Sequence, residues 1–271
     1  MSKDLLKIAI TASLEASKEI LKIYNSDDFE VKLKADDSPL TKADLLSNQI
    51  IKTYLKKTNI FIISEEEKDI PYNIRKKCAK LWMVDPIDGT KEFIKRNGEF
   101  TVNIALIKNN NPVLGVIYAP VLNTLYFSYS EIGAFKAEVD LNNYEMNDIL
   151  NSAMQLPLKR KNSIYTIVAS RSHLSKETTD FIEKIKKDKG KIRLLNKGSS
   201  LKLCLVAEGK ADSYPRFAPT MEWDTAAGHA ILSGAGGYVT NLLTKEPLCY
   251  GKPSFENPFF VAHSRKGLIK Y

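Results

Sequence analysis

Two stretches near the start of the chain repeat apolar residues every three or four positions. In residues 3–24 the apolar side chains share one helical face: Leu5, Leu6, Ala9, Ala12, Ala16, Ile20 and Ile23. Because an α-helix completes a turn every 3.6 residues, this spacing predicts an amphipathic helix. A second helix is predicted over residues 38–57, where a proline turn introduces SPLTKADLLSNQIIKTYLKK.

Short apolar runs predict buried strands. Residues 60–64 (IFIIS) and 80–86 (KLWMVDP) are almost wholly apolar, as in strands covered on both faces. Pro86 has no backbone N–H, so we expect the second strand to end there. Short turns separate three further runs, which predict an antiparallel meander at 101–108, 113–120 and 124–130.

The second half of the chain alternates between strand-like and helix-like segments. Strands are predicted at 164–170, 191–196, around ADSY and at 236–240; helices are predicted at 176–187, from SSLKLCLVAEG and at 223–234. This alternation indicates an α/β layer. Residues 137–162 are polar and irregular, so we place a junction there. The chain is therefore read as two interlocked halves, residues 1–150 and 151–271, that form one catalytic unit.

Charge and cysteine content narrow the class of protein. The 271 residues include 40 basic and 32 acidic ones, a net charge of +8. Such a surface attracts anions, although lysine-rich solvated faces produce the same excess. Three widely spaced cysteines without metal-ligand spacing favour a reducing compartment. With no signal peptide or long apolar run in the sequence, we expect a soluble cytoplasmic protein, peripheral at most on the inner membrane.

Acidic residues follow the predicted strands. In WMVDPIDGT, Asp85 and Asp88 lie at the end of a buried strand, where α/β folds place ligands. Two carboxylates about 4 Å apart repel by ~1 kcal/mol in water and ~4 kcal/mol at an effective dielectric near 20. A hard dication such as Mg²⁺ would offset that repulsion. Gly89 permits a turn, and a helix opening at Thr90 would point backbone N–H groups at an anion.

Three other segments carry candidate carboxylates. Glu65 and Glu66 follow the strand at 60–64, Asp224 heads the helix at 223–234, and Asp44 lies in LTKAD. Each has an ordinary structural explanation, as a helix cap, a first-turn acid or a turn residue. Together they favour a shared acidic pocket. The choice between Glu65 and Glu66 stays open, with Glu65 preferred.

DPIDGT, the upstream SEE and the downstream WDTAAG resemble motifs of the inositol monophosphatase superfamily of Mg²⁺-dependent phosphatases. NGEFTVNIALI, ASRSH and GSSLKLCLVAEGKADSYPR are most similar to its 3′(2′),5′-bisphosphate nucleotidase branch. The resemblance covers nearly the whole chain. It implies an α+β, α/β layered sandwich (αβαβα) of the sugar-phosphatase type, with an antiparallel-sheet N-terminal half and an α/β C-terminal half.

The resemblance also implies a role for each matching residue. The metal ligands would be Glu65, Asp85, Asp88, Asp224 and the Ile87 carbonyl, holding about two or three Mg²⁺ ions. Asp44 with Thr90 would activate water, and the N–H groups of Gly89 and Thr90 would hold the departing phosphate. The rest of the substrate would contact His173, Ser199, Lys202 and Arg216. Helical spacing puts Ser199 and Lys202 on one face.

The implied reaction is hydrolysis of adenosine 3′,5′-bisphosphate to AMP and phosphate, removing a by-product of sulfate activation. The alternative is a phosphatase acting on inositol monophosphate or fructose 1,6-bisphosphate. A basic nucleic-acid-binding module is disfavoured, because the sequence has no basic stripe with interleaved aromatics. The expected partner is a small nucleotide bisphosphate, and the protein is expected to be a monomer or a homodimer.

Overall fold

A computed structural model describes residues 2–26, 29–33, 39–67, 70–159, 164–169 and 175–264. The helices are α1 (Ser2–Tyr24), α2 (Lys42–Leu55), α3 (Tyr72–Arg75), α4 (Thr90–Ile94), α5 (Met146–Ser152), α6 (Lys176–Lys189), α7 (Leu201–Ala207) and α8 (Glu222–Gly234). The strands are β1 (Lys32–Leu33), β2 (Pro39–Leu40), β3 (Phe61–Ser64), β4 (Lys80–Asp88), β5 (Thr101–Lys108), β6 (Asn111–Ala119), β7 (Thr124–Tyr129), β8 (Gly133–Glu138), β9 (Met154–Gln155), β10 (Tyr165–Ala169), β11 (Ile192–Asn196), β12 (Ser213–Arg216), β13 (Tyr238–Asn241) and β14 (Phe260–His263).

Strands β1 and β2 pair with each other in an antiparallel ribbon, and the other strands form two larger sheets. The first has the order β3-β4-β5-β6-β7-β8-β9, with β3 and β4 parallel and the remaining pairs antiparallel. The second has the order β11-β10-β12-β14-β13, in which β10 runs parallel to β11 and β12. The predicted meander of β5, β6 and β7 is confirmed, as is the α/β character of the second half.

The helices and the two sheets alternate in five layers. Apolar residues of α1 and α2, such as Ile10 and Ile51, pack with Val84 and Val116 on one face of the first sheet. The middle layer, α7 and α8, shares a core with both sheets, and α6 packs through Phe181 and Ile185 on the outer face of the second sheet. The predicted αβαβα sandwich is therefore confirmed.

Close packing between α8 and the first sheet depends on Gly115 of β6. A Cβ atom built at this position would lie 2.3 Å from the Ala227 carbonyl oxygen and 2.9 Å from the Ala230 Cβ atom. Real Cβ atoms do not approach that closely, so only glycine lets α8 lie at its present distance. The first turn of α8, which carries Asp224, is positioned by this contact.

Two predicted elements have different boundaries in the structure. The second helix begins at Lys42, because Thr41 and Asp44 form a capping box at its start, and it gives way to a 3-10 turn after Leu55. Strand β4 continues past Pro86 to Asp88. Pairing with β3 has already ended at Val84, and the register with β5 shifts between Asp85 and Asp88, so the missing proline N–H leaves no ladder bond unmade.

The segment 137–162 is more ordered than predicted. It contains the end of β8, all of α5 and strand β9, while residues 160–162 lie outside the described part. Strand β9 pairs with β8 in the first sheet although it follows residue 150. The division at residue 150 stays a prediction. No helix in the described ranges is long and apolar enough to cross a membrane.

Candidate active site

Carboxylates from three segments converge at one end of the first sheet. Glu65 follows β3, Asp85 lies in β4 and Asp224 lies in the first turn of α8. One carboxylate oxygen from each lies within 4.8 Å of the other two. Strands β3 and β4 are parallel, so their carboxyl ends reach the same edge and bring Glu65 beside Asp85. The prediction that distant acidic motifs meet is confirmed for these three residues.

The electrostatics of this cluster point to a bound cation. Burial, together with repulsion from Glu65 and Asp88, raises the pKa of Asp85 well above its usual range. Burial and the charges of Asp88 and Glu65 raise the pKa of Asp224 to about 8. A dication would relieve this repulsion, and hard carboxylate oxygens are the ligands that Mg²⁺ prefers. The donor set therefore fits a hard divalent metal.

The neighbouring glutamates have separate positions. Glu65 belongs to the converging group, whereas Glu66 and Glu67 do not. The Glu66 backbone N–H lies 3.4 Å from the Ser64 hydroxyl, and the Glu67 carboxylate pairs with Lys52. The preference for Glu65 over Glu66 as the metal ligand agrees with this placement.

Asp88 lies beside the cluster and is held from the other half of the chain. Its charge contributes to the raised pKa values of both Asp85 and Asp224. Its Oδ2 atom accepts hydrogen bonds from the Ser199 hydroxyl at 2.7 Å and from the Ser200 N–H at 2.5 Å. The other carboxylate oxygen, Oδ1, is therefore the one better placed to serve a metal.

The residues predicted to activate water are in contact. The Thr90 hydroxyl lies 3.3 Å from Asp44 Oδ1 and 3.3 Å from the Ile87 carbonyl oxygen. Asp44 is buried, and its Oδ2 atom accepts bonds from the Thr41 N–H at 2.7 Å and hydroxyl at 2.5 Å. Because the Thr90 hydroxyl donates its hydrogen bond to Asp44 or to the Ile87 carbonyl, the Thr90 oxygen can still accept a hydrogen bond from another group.

Gly89 makes the turn between β4 and α4. Its φ of +92° lies in the left-handed region, which side chains other than glycine rarely adopt. The turn exposes the start of α4, and the Phe93 N–H closes the first helical bond onto the Gly89 carbonyl. The first backbone N–H groups of α4 are thus left for other partners, as the predicted phosphate contact requires.

The predicted metal side and substrate side meet in one cavity of about 160 Å³. Its walls include Asp88, Gly89, Asp224, Ser199, Ser200, Lys202 and Arg216. Lys202 is buried, and its ammonium donates to the Ser199 carbonyl at 2.6 Å. Arg216 donates to the carbonyls of Ala218 at 3.1 Å and Pro219 at 2.8 Å. His173 lies outside the described residues.

The helical-face argument for Ser199 and Lys202 was wrong. Helix α7 begins only at Leu201, and Ser199 precedes it with a φ of +55°. The two residues still lie together, because the Lys202 side chain folds back onto the Ser199 carbonyl.

Sequence reasoning missed several residues around this cavity. Glu92, Tyr214 and Thr220 line it, and the Lys202 ammonium lies 5.5 Å from the centre of the Tyr214 ring. Glu92 follows Gly89 by three residues and lies in the first turn of α4. This spacing could have indicated that Glu92 lies beside the predicted phosphate site. The position of Tyr214 depends on β12 pairing with β10 and β14, which no local pattern reveals.

The tryptophans next to the acidic motifs and the histidine of α8 have structural contacts. The Trp82 N–H donates to the Thr58 hydroxyl at 3.0 Å, and Trp223 packs on Phe255 with ring centres 5.1 Å apart. His229 is buried and lies 3.0 Å from the Tyr250 hydroxyl, and burial lowers the pKa of His229 to about 4. At neutral pH His229 is therefore uncharged.

Comparison with known proteins places the chain in a class. Residues 1–265 match the model of the inositol monophosphatase family. The chain belongs to this family of metal-dependent phosphatases, and the Glu65, Asp85 and Asp224 cluster is an acidic group able to bind a metal.

Within that family the chain is similar to proteins called 3′(2′),5′-bisphosphate nucleotidase CysQ. It is 42% identical to the one from Escherichia coli K12 over 248 residues, covering 90% of this chain and 94% of the relative. The crystal structure of CysQ from Bacteroides thetaiotaomicron superposes with a TM-score of 0.88 at 46% identity, covering 98% of both chains. Staphylococcal IMPase-II shares the fold, with a TM-score of 0.70 at 22% identity and coverage of 98% and 90%.

Proposed function

We propose that this protein is a Mg²⁺-dependent 3′(2′),5′-bisphosphate nucleotidase that hydrolyses adenosine 3′,5′-bisphosphate to AMP and phosphate. The observation that carries the proposal is the shared cavity, in which the metal-side carboxylates Asp88 and Asp224 face the cations Lys202 and Arg216. A substrate with two phosphates needs both kinds of contact. The names of the similar proteins from Escherichia coli K12 and Bacteroides thetaiotaomicron support the same activity.

The carboxylates hold the metal in this proposal. Glu65, Asp85, Asp88, Asp224 and the Ile87 carbonyl would bind about two or three Mg²⁺ ions. When bound, the metal supplies the positive charge that stabilises the attacking and leaving oxygens. Phosphate ester hydrolysis otherwise depends on positioning and charge neutralisation, which fixed side chains provide.

The other residues handle the proton and the phosphates. Asp44 accepts a hydrogen bond from the Thr90 hydroxyl, so the Thr90 oxygen can accept a hydrogen bond from the attacking water and orient it. The N–H groups of Gly89 and Thr90 bind the departing phosphate. Ser199, Lys202 and Arg216 bind the remaining phosphate and nucleoside, with His173 as a further contact; Arg216 offers a planar fork suited to a phosphate.

The wider setting belongs to the same proposal. The protein would remove a by-product of sulfate activation in the cytoplasm, with residues 1–150 and 151–271 acting as one catalytic unit. The substrate is a small nucleotide rather than a nucleic acid, and a monomer or a homodimer would serve equally well.

Phosphate release from a substrate panel tests this function. We expect adenosine 3′,5′-bisphosphate to be hydrolysed faster than inositol monophosphate or fructose 1,6-bisphosphate, and only with Mg²⁺ present. Arg216→Ala should raise the KM for the bisphosphate about tenfold or more, with little effect on a simple monophosphate, because charge-assisted bonds contribute roughly 1.5–3 kcal/mol. Faster release from inositol monophosphate would overturn the proposal in favour of a sugar phosphatase.

A further inference from the structure

The orientation of Asp88 depends on a turn contributed by the second half of the chain. Residues 197–200 connect β11 to α7, and the Ser199 hydroxyl and Ser200 N–H both donate to Asp88 Oδ2. These two bonds are the shortest that the Asp88 carboxylate receives, since the amide of Asn103 lies farther from Oδ2, at 3.5 Å. The orientation of the Asp88 side chain therefore depends mainly on this turn. A metal ligand whose carboxylate rotates freely binds more weakly, because binding must then also order the side chain.

The turn itself adopts a backbone conformation that needs outside support. Ser199 has a φ of +55°, in a region that costs a residue with a side chain about 1 kcal/mol or more. The Thr101 hydroxyl supports the turn from β5, at 2.7 Å from the Ser199 hydroxyl and 2.8 Å from the Ser200 hydroxyl. The stronger, charged support comes from Glu99.

Both oxygens of the Glu99 carboxylate accept hydrogen bonds from the turn. Oε2 accepts the Gly198 N–H at 2.8 Å, and Oε1 pairs with the Lys197 ammonium at 3.1 Å. Glu99 has a side chain only 10% exposed, so these charge-assisted bonds are poorly screened by solvent. Glu99 lies between α4 and β5, in the same half of the chain as Asp88, and holds the turn from that side.

We propose that Glu99 is a positioning residue for the metal centre: its carboxylate holds the 197–200 turn so that Ser199 and Ser200 orient Asp88 toward the metal. Glu99 is not among the residues that line the cavity, and its described bonds to Gly198 and Lys197 are the route by which it would act. This inference rests on the metal site of the proposed function, and does not depend on which phosphate ester is the substrate.

Direct metal binding tests this role without any substrate. Calorimetric titration with Mn²⁺ would be compared for the wild-type protein, Glu99→Ala, Glu99→Gln and the exposed control Glu138→Gln. Removing a group that orients a metal ligand typically weakens metal affinity 10–100-fold. Since Glu99 acts through the turn, we expect about a tenfold loss for Glu99→Ala and about threefold for Glu99→Gln, which keeps a neutral acceptor for Gly198. Glu138→Gln should bind Mn²⁺ as the wild type does.

Two further measurements separate positioning from general stability. Thermal unfolding in chelator identifies variants that are folded, and a Glu99→Ala, Ser199→Ala pair tests the route of action. If both act through Asp88, their effects on Mn²⁺ affinity should not add. Unchanged affinity in a folded Glu99→Ala protein, or in Glu99→Gln if the alanine variant does not fold, would overturn the proposal. Failure of adenosine 3′,5′-bisphosphate as a substrate would count against the proposed function alone.

Discussion

At the scale of single residues, the candidate site brings together carboxylates that repel one another. Burial and mutual repulsion raise the pKa values of Asp85 and Asp224. The sequence placed these carboxylates after strands and at a helix start, so their convergence was predictable. The hydrogen bonds that orient Asp88 were not, because Ser199 and Ser200 lie far along the chain and in a different half.

Asp85→Asn should separate catalysis from stability. We expect turnover to be abolished, because a neutral amide is a poor metal ligand, while the metal-free protein becomes more stable by roughly 1 kcal/mol as repulsion is relieved. Phosphate release and thermal unfolding in chelator measure the two effects. A variant with wild-type activity would remove Asp85 from the metal site.

The stability of the metal-free protein should depend on pH in a defined direction. The pKa of Asp224 is about 8 in the folded protein and near 3.8 in an unfolded chain, so the folded state binds more protons between these values. The free energy of unfolding therefore falls as pH rises through this window. The folded pKa of His229, about 4 against 6.5, has the opposite effect, but only below about pH 6.5.

Denaturant unfolding between pH 6.5 and 8 isolates the carboxylates. We expect the metal-free protein to lose about 1–2 kcal/mol over this range, at up to 1.36 kcal/mol per proton and pH unit. Saturating Mg²⁺ should flatten the slope, because the metal replaces the protons, and Asp224→Asn should reduce it. A slope of the opposite sign would contradict the assigned pKa shifts.

At the scale of elements, hydrophobic periodicity predicted the regular segments. It missed the element boundaries that are set by tertiary contacts. Strand β5 matches the predicted range, Thr101–Lys108. Its residues are almost all buried up to the exposed Lys108, so the apolar run in the sequence marks where the strand ends. Strand β4 runs past its proline because its outer neighbour ends first. Helix α7 starts after Ser199 because that residue bonds to Asp88 instead of entering the helix.

Gly115→Ala tests the contact that sets the position of α8. The added methyl group would overlap the Ala227 carbonyl, so α8 must move away from β6. We expect a loss of about 1–3 kcal/mol in the free energy of unfolding, typical of overpacking, together with weaker metal binding through Asp224. Chemical denaturation and Mn²⁺ titration measure both. Lys108→Ala, at the exposed end of β5, is the control, and equal stability of the two variants would count against this packing argument.

At the scale of the whole molecule, the five layers bring the two halves of the chain to one cavity. Layered α+β architecture followed from the order of the predicted elements and from the family resemblance. The assignment of α7 and α8 to the middle layer did not, because it depends on which faces of the two sheets pack together. The lining of the cavity by Tyr214 and Thr220 depends on that same packing.

The bonds of Lys202 and Arg216 have one more consequence. In the described part of the chain, both cations donate to backbone carbonyls and neither forms an ion pair with a carboxylate. A salt bridge from Arg216 to Asp224 would have occupied both a proposed metal ligand and a proposed phosphate-binding side chain in a single contact. Because Lys202 and Arg216 bond to neutral carbonyl oxygens, they could exchange these weak acceptors for a charged phosphate of the proposed substrate. The carboxylates of the acidic cluster would at the same time stay available to bind a divalent metal.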